Sequence, residues 1–87
     1  MYIILVYDVN AKRVGKVLKL CRCYLNWIQN STFEGELTPV KLKELEFKIK
    51  EIIDTETDSI IVFRSRNTRW LKKEIIGREK NKLDNFL

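Results

Sequence analysis

Histidine is missing from the 87 residues altogether, and cysteine, proline and glycine are scarce, at two, one and three residues. Without histidine there is no usual general base, no usual activator of a serine or cysteine nucleophile, and no imidazole ligand for zinc. Cys21 and Cys23 form a C-x-C pair. That spacing is too close for an ordinary structural disulfide, and on a helix the two side chains point apart, so they read as reduced, partly buried thiols. No apolar run approaches the roughly 20 residues needed to cross a bilayer, which argues against a membrane span. The apolar run near the start has no basic stretch before it and no small-residue cleavage site after it. It reads as structure rather than as a secretory signal, and the cytoplasm is the expected compartment. Whatever chemistry the chain performs must rest on carboxylates, hydroxyls, basic groups or a metal ion.

Hydrophobic residues make up 45% and charged residues 33%, the balance of a folded domain rather than of a disordered tail. A domain this small buries only about two-thirds of its unfolded surface, so pairing of two copies is a natural supplement to its core. The chain reads as one domain over residues 1–78 followed by a charged tail over 79–87, with no internal repeat or low-complexity tract.

The stretch Tyr2-Ile3-Ile4-Leu5-Val6-Tyr7-Asp8 is almost uninterrupted β-branched and aromatic sequence. It predicts a central strand buried on both faces. It ends on Asp8, and the C-terminal end of a central strand is where a rigid scaffold can hold a catalytic or metal-binding carboxylate. The competing account is that Asp8 merely closes the strand or caps the following helix. Next comes a helix over about residues 12–26, in which Val14, Val17, Leu18, Cys21, Leu25 and, just beyond it, Ile28 recur at helical spacing, with Lys12, Arg13, Lys16, Lys19 and Arg22 largely on the other side. Asn10 is the expected N-cap. Gly15, early in that helix, is either tolerated or leaves room for close packing or a ligand.

Residues 27–37 alternate apolar and polar, which predicts extended structure, either one bent strand or two short ones turning near Asn30-Ser31. Thr38-Pro39 marks the start of a second helix running to about Ile53, with its apolar stripe on Leu42, Leu45, Ile49, Ile52 and Ile53. After a polar loop over 54–58, residues 59–64 predict a short buried strand. Asn67-Thr68 predicts a turn, and residues 69–76 one further strand. Strand, helix, two strands, helix and strand give an α+β fold, a ferredoxin-like βαββαβ sandwich with an extra C-terminal strand, expected to be homodimeric. The extra strand pairs at the edge of its own sheet or with a partner subunit.

The net charge is +5, which favours a polyanionic partner such as DNA or RNA. Its distribution is uneven. Between Arg64 and Lys82 the basic residues Arg64, Arg66, Arg69, Lys72, Lys73, Arg78, Lys80 and Lys82 face only Glu74 and Glu79, while acidic residues collect between Glu34 and Asp58. The candidate nucleic-acid contacts are Lys12, Arg13, Lys16, Arg64, Arg66 and Arg69. For Lys12 and Arg13 a solvated helix face is an equal account. Tyr7 and Phe33 read first as core packing. Phe86 and Leu87, an apolar pair after a charged tail, mark either a docking element or a fraying end.

Taken together, Val6-Tyr7-Asp8-Val9, the basic helix, Ile28-Gln29-Asn30-Ser31-Thr32-Phe33-Glu34-Gly35 and Asp58-Ser59-Ile60-Ile61-Val62-Phe63-Arg64 resemble the CRISPR-associated protein 2 family over nearly the whole chain. The Gln-Asn-Ser-x-Phe-Glu-Gly segment is the most specific part. Many relatives carry arginine where this chain has Trp27. The resemblance implies a ferredoxin-like homodimer of the spacer-acquisition machinery. It also implies a metal-dependent endonuclease acting on single-stranded RNA or double-stranded DNA with Mg2+ or Mn2+, in which Asp8 is catalytic and metal-binding and Tyr7, Ser31 and Phe33 support it. The family is equally described as a non-catalytic architectural dimer that holds DNA by its backbone and bridges subunits of the CRISPR integrase. An RNA-recognition module of the same strand order is disfavoured, because Thr32 to Glu36 lacks the required glycine-and-aromatic pattern.

Overall fold

The computed structural model describes residues 1–66 and 72–81. The elements run β1 (Tyr2–Asp8), α1 (Ala11–Tyr24), β2 (Asn26–Gln29), β3 (Thr32–Glu36), α2 (Pro39–Ile52) and β4 (Ser59–Ser65). The sheet order is β2-β3-β1-β4, with β1 antiparallel to both neighbours, so the fold is the ferredoxin-like α+β sandwich expected from the element order. Both helices lie on one face.

Local signals set the element boundaries. The Asn10 side chain accepts from the Lys12 N–H at 3.0 Å, and the Thr38 hydroxyl accepts from the Lys41 N–H at 3.1 Å, with Pro39 opening α2. Between β2 and β3 the chain reverses at Asn30, whose φ of 47° is the left-handed conformation that asparagine tolerates. Tyr24 ties the helices together. Its hydroxyl donates to Glu44 at 2.7 Å and accepts from Lys48 Nζ at 2.8 Å.

β1 is central, but it is not buried on both faces. Ile3, Leu5 and Tyr7 pack under the helices with Val17, Cys21, Leu25, Phe33, Leu42, Leu45 and Ile49, whereas Tyr2, Ile4 and Val6 on the other face are half-buried. The helices cover one side only, so the apolar run lines a core on one side and an open sheet face on the other. β4 likewise is an edge strand rather than a buried one. Ile60 and Val62 pack against the core, while Ile61 and Phe63 stand on the open face at 50% and 58% exposure.

The additional strand does not form in the described part of 69–76. Residues 72–76 carry no strand pairing and cross the open face instead, where they help line a groove of about 490 Å³ with Tyr2, Ile4, Thr32 and Glu34. Their anchors are side chains rather than a strand ladder: Lys73 pairs with Glu34, and further along Asn81 donates to the Trp27 carbonyl. The turn expected at Asn67-Thr68, residues 69–71 and the Phe86-Leu87 pair lie outside the described residues. Of the two cysteines, Cys21 is buried and Cys23 exposed, both free. Among the described residues no helix is long and apolar enough to cross a membrane.

A Cβ added at Gly15 meets nothing within 4 Å, so no close packing within the chain requires this glycine. Gly15→Ala is expected to raise unfolding free energy by about 0.5–1 kcal/mol through helix propensity alone, measurable by urea denaturation at unchanged m-value.

Candidate functional site

Alternation along β1 turns Asp8 toward the open face, opposite Ser59 on β4. The backbone leading to it is held on both sides by neighbouring strands, and the Tyr7 N–H donates to the Ser31 carbonyl at 3.1 Å. Asp8 itself is exposed, and among the described residues no side chain hydrogen-bonds or ion-pairs with its carboxylate. No group of three or more Asp, Glu, Cys or His side chains able to hold a metal occurs among the described residues. One chain therefore presents a single hard-oxygen ligand at this place. That suits a magnesium-like ion, which keeps several waters and needs only one or two carboxylates plus substrate phosphate.

Immediately beyond Asp8 lies a buried charge that the sequence did not single out. The Asp58 side chain is 1% exposed. Its Oδ1 accepts from the Asn10 N–H at 2.9 Å and from Arg13 Nη2 at 3.1 Å; its Oδ2 accepts from Arg13 Nε at 2.7 Å and from the Asp54 N–H at 2.9 Å. The Arg13 guanidinium, with help from the two backbone N–H groups, holds the Asp58 carboxyl well below the usual carboxylate range. Arg13 in turn is raised above its ordinary value by its bond to Asp58. One carboxylate thus ties the β1–α1 connection, the first turn of α1 and the end of α2 into a unit. From sequence, Asp58 was one polar residue in a polar loop; a partner 45 positions away leaves no local trace.

The segment from Gln29 to Gly35 is explained largely by packing. Asn30 makes the reversal, and its carbonyl accepts from the Trp27 indole N–H at 2.8 Å. Ser31 contributes its carbonyl to Tyr7. Phe33 is fully buried, with its ring 6.2 Å from that of Tyr7, so both aromatics support the strand from beneath. Burial pushes the Tyr7 hydroxyl above its ordinary value and the Cys21 thiol up to about 11. Glu34 points to the open face, where it accepts from the Tyr2 hydroxyl; burial and that bond push Tyr2 up to about 12. At Gly35 an added Cβ would come within 3.1 Å of the Leu25 side chain, so the lack of a side chain permits that approach.

The basic candidates separate into groups. Lys12 and Lys16 are exposed on α1 just after Asp8, and with Lys19 and Arg22 they form a stripe that has no ion pair among the described residues. Arg13 faces Asp58 instead. Arg64 and Arg66 are exposed at the far end of β4, since Ser59 pairs with Asp8 and Ser65 with Tyr2. Six steps along the strand place them roughly 20 Å from Asp8. Arg69 lies outside the described residues.

A family model described as CRISPR associated protein Cas2 matches residues 1–73. The CRISPR-associated endoribonuclease Cas2 of Dictyoglomus turgidum is 48% identical over 87 residues, covering 100% of both chains. Among solved structures, a crystal structure of a cas2 protein superposes with a TM-score of 0.80 at 45% identity, covering 92% of this chain and 90% of that one. The crystal structure of Streptococcus pyogenes Cas2 at pH 6.5 gives a TM-score of 0.73 at 33% identity, covering 86% and 99%.

The Asp58 clamp has a pH signature. Because its carboxyl is held low in the folded state, the unfolded chain binds the extra proton first, so this stabilisation is complete above about pH 4 and is lost as pH falls below it. Asp58→Asn is expected to lower Tm at pH 7 by roughly 10 °C, because it leaves Arg13 and the Asp54 N–H without their charged acceptor. It should also flatten the acid limb of a Tm-against-pH profile, which is followed by circular dichroism. A parallel acid limb in the variant would show that other carboxylates carry it.

Proposed function

The chain belongs to the CRISPR-associated protein Cas2 family, and from that membership we propose that it is a metal-dependent nuclease subunit of CRISPR spacer acquisition. In this reading it works in the cytoplasm as a homodimer alongside the CRISPR integrase. The observation that carries it is the Asp8 carboxylate, exposed and unpaired among the described residues at the end of a strand anchored on both sides.

Ile61 and Phe63 leave an apolar patch on the same face of the sheet. Packing two such faces about a two-fold axis buries that patch and turns both Asp8 side chains into one cleft. The donor set then fits Mg2+ or Mn2+, with the two Asp8 carboxylates as protein ligands and substrate phosphate oxygens and water completing the shell. A bound divalent cation supplies Lewis acidity toward the phosphodiester and lowers the pKa of coordinated water. The remaining work falls to the chain. Asp8 anchors the cation. Lys12 and Lys16, in the first turns of α1, draw in phosphate oxygens and offset the charge that develops on them. Tyr7 and Phe33 hold the strand from below, and the Ser31 carbonyl fixes it from the side. Single-stranded RNA comes first as substrate, because the relatives are named endoribonucleases, with duplex DNA second.

A second reading is an architectural dimer that binds duplex DNA by its backbone and bridges integrase subunits without cutting. The basic stripe on α1, without an ion pair among the described residues, and the absence among them of a carboxylate cluster around Asp8 favour it.

Two measurements test these readings. Asp8→Asn is expected to reduce metal-dependent cleavage of labelled RNA or duplex DNA by roughly 100-fold or more while leaving salt-sensitive DNA binding intact. Binding without cleavage by either protein gives the architectural reading its place. Phe63→Asp, which puts a charge into the apolar patch, is expected to shift the protein from dimer to monomer in sedimentation velocity; a variant that still sediments as a dimer rules out this face as the interface.

A further inference from the structure

Asp58 is the only buried charged residue among the described residues, and the groups it holds frame the carboxylate proposed to act. The Asn10 N–H that it accepts lies two residues beyond Asp8. The same Asn10 caps α1 through its side chain, and its carbonyl accepts from Arg13 and Val14, so its backbone is pinned from both directions. Arg13 presents two guanidinium nitrogens to Asp58 from the first turn of α1, and the Asp54 N–H closes the clamp from the α2 side. Only Val9 separates this fixed point from Asp8. Strand pairing fixes the Asp8 backbone on one side and the Asp58 clamp fixes the chain two residues on, which sets the place and direction of the Cα–Cβ bond that carries the carboxylate.

We propose that Asp58 is a positioning residue: through the Asn10 N–H and the Arg13 guanidinium it sets the direction in which the Asp8 carboxylate leaves β1, and thereby the affinity of Asp8 for a divalent cation. The inference rests on the reading of Asp8 as a cation ligand. Its physical basis is general. A carboxylate ligand binds well when the groups behind it restrict its orientation before the cation arrives, and loss of such a supporting group typically weakens binding about 10- to 100-fold.

The test titrates Mn2+ alone into isotope-labelled protein at pH 7, with no nucleic acid, and follows paramagnetic loss of backbone amide signals. All proteins are held well below their unfolding midpoints. Wild type is expected to lose the Asp8 and Val9 signals selectively. Asp58→Asn should need about tenfold more Mn2+ to do so. Leu42→Ala, a buried truncation near the start of α2, loses stability without touching the clamp and should match wild type. Arg13→Lys keeps the charge but loses the planar fork, so it should shift in the same direction by less; it also serves if Asp58→Asn does not fold. An unchanged Mn2+ midpoint in the folded clamp variants overturns the positioning role alone, as does a Leu42→Ala shift equal to theirs. If wild type shows no selective loss around Asp8, the cation reading of Asp8 falls, and the positioning role falls with it.

Discussion

Two helices cover one face of a four-stranded sheet and leave the other bare, and this one-sided burial governs the molecule. On the covered face, Ile3, Leu5, Tyr7 and Phe33 meet the apolar stripes of α1 and α2 in a closed core. On the bare face, Ile4 and Val6 are only half-buried, and Ile61 and Phe63 remain exposed. A chain this short has too little core to spare, so an apolar sheet face left to water is costly. The segment over residues 72–76 covers part of that face through the Lys73–Glu34 pair. The Asp8 end of the sheet and its neighbouring apolar residues fall to a second copy in the dimer we propose.

Charge is handled differently at the neighbouring ends of β1 and β4. Asp8 stands exposed and, among the described residues, unpaired, while Asp58, next to the residue that pairs with Asp8 across the sheet, is withdrawn from solvent and satisfied by Arg13 and two backbone N–H groups. A buried carboxylate is tolerable only when its lone pairs are all used, and here they are. In a chain without histidine, this division assigns structure to one carboxylate and leaves the other available for chemistry.

Elements governed by neighbouring residues were legible in the sequence. Asn10 and Thr38 as caps, Pro39 at the start of α2 and the reversal near Asn30-Ser31 depend on local hydrogen bonds and φ preferences, and all four occur as expected. The helix-period and strand-period patterns led to the ferredoxin-like order for the same reason. Burial was read less well. Apolar strands look alike in sequence whether they sit in a core, at a sheet edge or on an interface, so β1 was expected to be buried on both faces and β4 to be buried. Within the described residues 72–76 the additional strand finds no edge of its own sheet to pair with, because propensity alone does not supply a partner strand.

Of the candidate site, the sequence by itself determined that any catalysis must rest on carboxylates, hydroxyls, basic groups or a metal ion, and it pointed to Asp8 through its place at the end of the apolar run. It determined the helix that carries Lys12 and Lys16 on its polar side. Only the tertiary structure decided that Arg13 faces Asp58 and that Arg64 and Arg66 lie at the opposite end of the sheet from Asp8. Sequence periodicity records which side of an element faces inward, because that is a property of successive residues. Which residues meet across 45 positions of chain is set by sheet register and helix packing, and those exist only once the whole chain has folded.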